Sequence, residues 1–80
     1  MSNIILAELL SVIDNYDKVR IYMQGYKYIT TASPKDILEG SDFIFLIDSN
    51  IRVTYVEISY DYDYGEVLEI VVKEIKNESE

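Results

Sequence analysis

The fold turns on the stretch Lys18-Val19-Arg20-Ile21-Tyr22-Met23-Gln24-Gly25-Tyr26-Lys27-Tyr28-Ile29-Thr30-Thr31-Ala32. Val19, Ile21 and Met23 alternate with Lys18, Arg20, Tyr22 and Gln24, a period of two that buries one face of a strand and leaves the other outside. A two-residue turn at Gln24-Gly25 sets Met23 against Tyr26, Ile21 against Tyr28 and Val19 against Thr30. One apolar face then runs across a hairpin that ends near Ala32.

Upstream of this hairpin, Ile5, Leu6, Leu9, Leu10 and Ile13 recur at three- and four-residue spacing, which predicts a helix over residues 2–13 with Ser2 or Asn3 as its cap. In so short a chain this stripe reads as core. The cluster Asp14-Asn15-Tyr16-Asp17 has the composition of a turn. Downstream, Ser33-Pro34-Lys35-Asp36 combines a capping serine, proline at the first helical position and an acid three residues after the cap, opening a short helix that Gly40 ends. Ile37 and Leu38 of that helix would close over the sheet.

Residues 42–47 are rich in β-branched and aromatic side chains, which leans toward a strand, although Ser41-Asp42 would equally cap a short helix. After the turn at Asp48-Ser49-Asn50, residues 51–60 read as a long strand whose apolar parity changes. It runs Ile51, Val53, Tyr55 and then Val56, Ile58, Tyr60, so a bulge between Tyr55 and Val56 or burial on both faces is expected. A last strand over residues 66–75 places Leu68, Ile70 and Val72 on one face and pairs with its predecessor through a turn at residues 61–65. Residues 76–80 form a polar, frayed tail. The expected architecture is one α+β domain over residues 1–75: an N-terminal helix, an antiparallel sheet of four to five strands and a short connecting helix.

Composition narrows the chemistry. The chain has 80 residues, 49% of them hydrophobic, with no cysteine and no histidine. That hydrophobic share supports a folded domain, and one this small buries only about 60% of its unfolded surface. The missing thiols and imidazoles remove disulfides, zinc and iron–sulfur sites and the usual proton shuttle at neutral pH, so no cofactor is expected. The longest apolar runs, at residues 3–7 and 43–47, fall far below the roughly 18 residues of a membrane span, and no basic leader region opens the chain. These features point to the cytoplasm of a host cell.

Charge is uneven. The chain carries 15 acidic and 7 basic residues, a net of −8; residues 1–40 hold five acids and four bases, and residues 41–80 hold ten acids and three bases. An acidic surface repels phosphate backbones and anionic membranes and steers basic partners, so it argues against direct nucleic-acid binding and for binding a nucleic-acid-binding protein. Solubility alone is the competing explanation.

Within the acidic half, Tyr60-Asp61-Tyr62-Asp63-Tyr64-Gly65-Glu66 stands out. Between Val53 and Val72 lie Glu57, Asp61, Asp63, Glu66 and Glu69, with no base among them. Tyrosine offers a large, rigid contact with a hydroxyl, and carboxylates pair with the lysines and arginines that grip phosphate. The candidate binding residues are therefore Glu57, Tyr60, Asp61, Tyr62, Asp63, Tyr64, Glu66 and Glu69. The competing reading is a solvated hairpin loop whose tyrosines cover the edge of a small core.

Asp61-x-Asp63-x-Gly65 superficially matches the start of a calcium loop. Counted from Asp61, however, the fifth position is Gly65 and the twelfth is Val72, where that loop needs oxygen ligands. No glycine-rich phosphate loop, nucleophile elbow or Ser-x-x-Lys pattern occurs, and paired carboxylates need a concave site that 80 residues scarcely supply. No enzyme is expected. Asn77-Glu78-Ser79 matches a glycosylation sequon that a cytoplasmic chain has no opportunity to use.

Leu9-Leu10-Ser11-Val12-Ile13-Asp14 running into Lys18-Val19-Arg20-Ile21-Tyr22, followed by Lys35-Asp36-Ile37-Leu38, resembles small uncharacterised proteins of phages and prophages of low-GC Gram-positive bacteria. The resemblance covers roughly residues 6–40. In size and acidity that class is similar to phage-borne inhibitors such as anti-CRISPR proteins, some of which act as DNA mimics. It implies an inhibitor whose partner is a basic nucleic-acid-binding protein, a CRISPR effector among the candidates, and it transfers no site residue. An immunity or antitoxin-like partner of a nuclease, or a structural phage protein forming a homo-oligomer through residues 43–47, are the alternatives.

Overall fold

The computed structural model describes residues 4–13 and 17–75. Its elements are helix α1 (Leu6–Val12), strands β1 (Val19–Met23) and β2 (Lys27–Ala32), helix α2 (Pro34–Glu39), a 3₁₀ turn (Ile44–Leu46), and strands β3 (Ile51–Asp61) and β4 (Gly65–Glu74). The α+β class holds, with two helices and the 3₁₀ turn packed on one face of a four-stranded sheet. The Ser2/Asn3 cap, the turn residues 14–16, the sequon and the polar tail 76–80 lie outside the described residues.

Helix α1 starts later than its apolar stripe suggests. Ile5 is extended and occupies the cap position without a side-chain cap bond, and it bridges to Arg52, while the Ile4 carbonyl accepts the Val53 N–H at 2.8 Å. The backbone at residues 4–5 thus satisfies its polar groups against β3 before the helix begins. Leu6 and Leu10, one turn apart, are fully buried. Helix α2 follows its local signals closely: Ser33 Oγ accepts the Asp36 N–H at 3.1 Å, Pro34 opens the helix, and a Cβ on Gly40 would meet the Asp36 carbonyl oxygen at 2.6 Å.

The sheet order is β2-β1-β4-β3. Both hairpins are antiparallel, as expected, but they join through a parallel pair, β1 with β4, so the sheet is mixed. The interior places go to the strands with most to bury. In β4, Val67, Leu68, Ile70, Val71 and Val72 are all buried, a near-continuous run that suits an interior strand flanked by β1 and β3. Val19, Ile21, Leu68, Ile70 and Val72 meet Leu6, Leu10, Ile37 and Leu46 from the helical layer in one core.

Three local expectations are corrected. The first hairpin closes through residues 24–26, with Gly25 at φ 91° and Tyr26 at φ 60°, rather than through Gln24-Gly25. Its register is Met23↔Lys27 and Tyr22↔Tyr28, then, after a shift, Ile21↔Thr30 and Val19↔Ala32. Two successive left-handed residues lengthen the turn, and the bulge restores the inward face. Residues 42–47 are not a strand: Leu46 is buried, Phe43 and Ile47 pack on the core, and Ile44 and Phe45 stay exposed, the pattern of a single 3₁₀ turn plugging the layer. The parity change in β3 is a bulge, located at Thr54, where the Thr54 hydroxyl donates to the Val71 carbonyl at 3.0 Å.

Candidate functional site

The β3–β4 hairpin is longer than the helical layer that covers it. Along its inward row Val53 is 3% exposed, but Val56 is 43%, Ile58 54% and Tyr60 80% exposed. The distal half therefore overhangs the core with apolar and aromatic side chains in solvent. Ile58 lies opposite Leu68 and Tyr60 opposite Glu66 on this side, whereas Glu57 faces Glu69 and Ser59 faces Val67 on the other.

That other face carries no helix among the described residues, and it holds a feature the local sequence hides. Arg20, projecting from β1, forms a salt bridge with Asp61 and a second with Glu69 at 3.3 Å, and its Nε donates to Thr31 Oγ1 at 3.3 Å. A run without a base in sequence thus receives one in space. Burial alone would lower the Arg20 pKa, but the hydrogen bond and charge of Asp61, together with Tyr22 and Glu69, raise it overall.

Asp61 also shapes the turn. Its Oδ1 accepts the N–H groups of Asp63 at 2.7 Å and Tyr64 at 3.2 Å. The Asp63 N–H is the main reason its carboxyl titrates below the usual range; partial burial opposes this, and the Tyr64 N–H and Arg20 add to it. The Asp61-x-Asp63-x-Gly65 spacing therefore serves the loop itself, closed by Gly65 at φ 80°. Above the turn the Lys18 ammonium sits 5.5 Å from the Tyr64 ring centroid.

The eight residues singled out from the sequence fall into three sets. Asp61, Glu69 and Tyr64 are held by Arg20 and Lys18. Glu57 accepts the Tyr55 hydroxyl at 3.0 Å, and that bond, followed by the Glu57 charge, raises the Tyr55 pKa. Tyr60, Tyr62, Asp63 and Glu66 surround the tip as exposed groups, and neither Asp63 nor Glu66 has an ion pair among the described residues.

Sequence reasoning missed a tyrosine cluster on the open face. Tyr22 packs edge-on against Tyr26 at 5.7 Å and Tyr28 at 6.0 Å between ring centroids. Its signal was present in the outward parity of Arg20 and Tyr22, but the expected two-residue turn assigned Tyr26 and Tyr28 to the inner face.

No three carboxylates gather closely enough to hold a metal ion among the described residues. The cleft lined by Leu10, Ser11, Lys35, Leu38 and Glu39 between α1 and α2 is far simpler chemically, and the Ser11 hydroxyl is spent on the Glu8 carbonyl at 2.7 Å. None of the helices is long and apolar enough to cross a membrane among the described residues. No protein-family model, curated protein or solved structure matches the chain.

Proposed function

We propose that this chain is a non-catalytic, cytoplasmic binding module that seats the tip of its β3–β4 hairpin on a basic nucleic-acid-binding protein and excludes the nucleic acid by occupation. The carrying observation is the overhang: Tyr60, Tyr62, Asp63 and Glu66 stand exposed beyond the helical layer, and neither carboxylate has a charge partner among the described residues. Tyrosines supply contact area at low entropic cost, and unpaired carboxylates offer bonds to lysine and arginine that phosphate would otherwise take. The resemblance to phage-borne inhibitors suggests where to look first, among the CRISPR effectors of Gram-positive hosts.

The test uses Asp63→Lys/Glu66→Lys and leaves Asp61 intact, since Asp61 holds the turn. Tagged chain is incubated with host lysate at low and high salt, and any captured protein is purified and assayed for nucleic-acid binding with and without the chain. The expected result is a basic protein that loses its nucleic acid to the wild type, and is itself lost in the double variant and weakened by salt. A partner retained by the double variant, or one whose nucleic-acid binding is unaffected, would refute the reading.

A further inference from the structure

Strand β3 lies at one edge of the sheet. Beside it, on the side away from β4, the described chain supplies only the contacts of Ile4 and Ile5 with Val53 and Arg52. From residue 57 to residue 61 no strand lies on that side among the described residues. Protein edges are ordinarily blunted by lysine, proline or a bulge that spoils pairing. The opposite edge, β2, has such guards: Lys27 at its start, an irregular register, and Ser33-Pro34 at its end. Residues 55–61, Tyr-Val-Glu-Ile-Ser-Tyr-Asp, contain no lysine, arginine, proline or glycine, and the bulge at Thr54 precedes them.

We propose that residues 57–61 of β3 accept one strand of the partner in backbone pairing, and that this strand alternates basic with apolar residues. The inference rests on the basic-partner reading above and names how that partner is held. An added strand reads both faces of its neighbour alternately. On the helical side it lies beside Ile58 and Tyr60, which are exposed and extend the core row, so apolar side chains belong there. On the open side it lies beside Glu57 and Asp61, with Glu69 one strand further in. Arg20 already engages Asp61 and Glu69, which leaves Glu57 as the carboxylate for an incoming lysine or arginine. A second copy pairing through the same segment brings no such cation: its residues 57–61 repeat Glu57 and Asp61 without a lysine or arginine, and each copy carries a net charge of −8.

Isotope-labelled full chain is titrated with a capped seven-residue peptide alternating lysine and valine, and with a peptide of the same composition that segregates the lysines from the valines. Amide exchange and chemical shifts are followed along β3, and sedimentation reports self-association. The alternating peptide is expected to bind about tenfold more tightly than the segregated one and to slow exchange at residues 57–61 about tenfold. Glu57→Lys is expected to remove that preference. Equal binding of both peptides, lost together in Asp63→Lys/Glu66→Lys, overturns the edge proposal while the basic-partner reading survives. Absence of binding by either peptide overturns it as well, as does a dimer whose own residues 57–61 become protected.

Discussion

The two hairpins share a motif and differ in what lies over them. In β1–β2, strands of five and six residues end within the reach of the helical layer, and Val19 and Ile21 are fully buried. In β3–β4, strands of eleven and ten residues use the same layer at one end and outrun it at the other, which gives the molecule extents of 45 × 24 × 20 Å. Excess strand length beyond the cover is what turns a structural hairpin into a presented surface. Apolar groups there gain little from folding, because burial is the main return on an apolar side chain.

Four tests break or sharpen that contrast. The largest effect belongs to Ile70→Ala, at the point where β4 pairs with Ile21 of one hairpin and Val56 of the other. A loss of about 2–5 kcal/mol is expected in urea denaturation, against less than about 1 kcal/mol for Ile58→Ala, whose side chain is half in solvent. Comparable losses at both sites would mean that the overhang is covered in solution.

Gly65→Ala puts a Cβ on a residue at φ 80° in open space, so its cost is backbone strain alone, about 1–2 kcal/mol. Urea midpoints should fall accordingly while near-ultraviolet signals of the first hairpin stay unchanged. Arg20→Met keeps much of the stem's packing and removes the cation between Asp61 and Glu69. A loss of about 1 kcal/mol is expected, with faster amide exchange at the start of the tip rather than in β2; a change confined to β2 would contradict the link between hairpins.

The smallest effect is local and acid-dependent. Asp61 titrates below its ordinary value of 3.8 in the folded chain, so its contribution to the tip is present above that value and is lost as pH falls through the lower folded one. The amide shifts of Asp63 and Tyr64 should therefore hold steady down to about pH 4 and move together below it. In Asp61→Asn that titration should vanish. Movement of both amides near neutral pH would argue against the Asx-type turn.

Much of the architecture was legible because its causes are local. Ser33 and Pro34 specify where α2 begins through bonds made within one helical turn. The alternation of Leu68, Ile70 and Val72 identifies an inward face whatever lies opposite it, and the change of parity read between Tyr55 and Val56 signals the bulge that the structure places just before it, between Val53 and Tyr55. The hairpin tip was likewise visible as a tyrosine-and-acid run. What misled was the Phe43–Ile47 stretch, where composition favours a strand while the packing asks only for Leu46 to fill the layer.

Local pattern by itself determined both helices, the four strands, the inward faces of β1, β3 and β4 and the position of the acidic tip, since alternation and capping depend on neighbours a few residues away; it did not determine the 3₁₀ turn at Ile44–Leu46 or the outward side of Tyr28. Tertiary structure alone decided that β1 runs parallel to β4, and with it that Arg20 meets Asp61, 41 residues on, and Glu69, 49 residues on. The same choice left β3 at the edge and the far end of its hairpin uncovered. Alternation says which side of a strand is buried but not which strand lies beside it; that is settled by the burial of the whole sheet, which places β4, with the most to hide, in the interior.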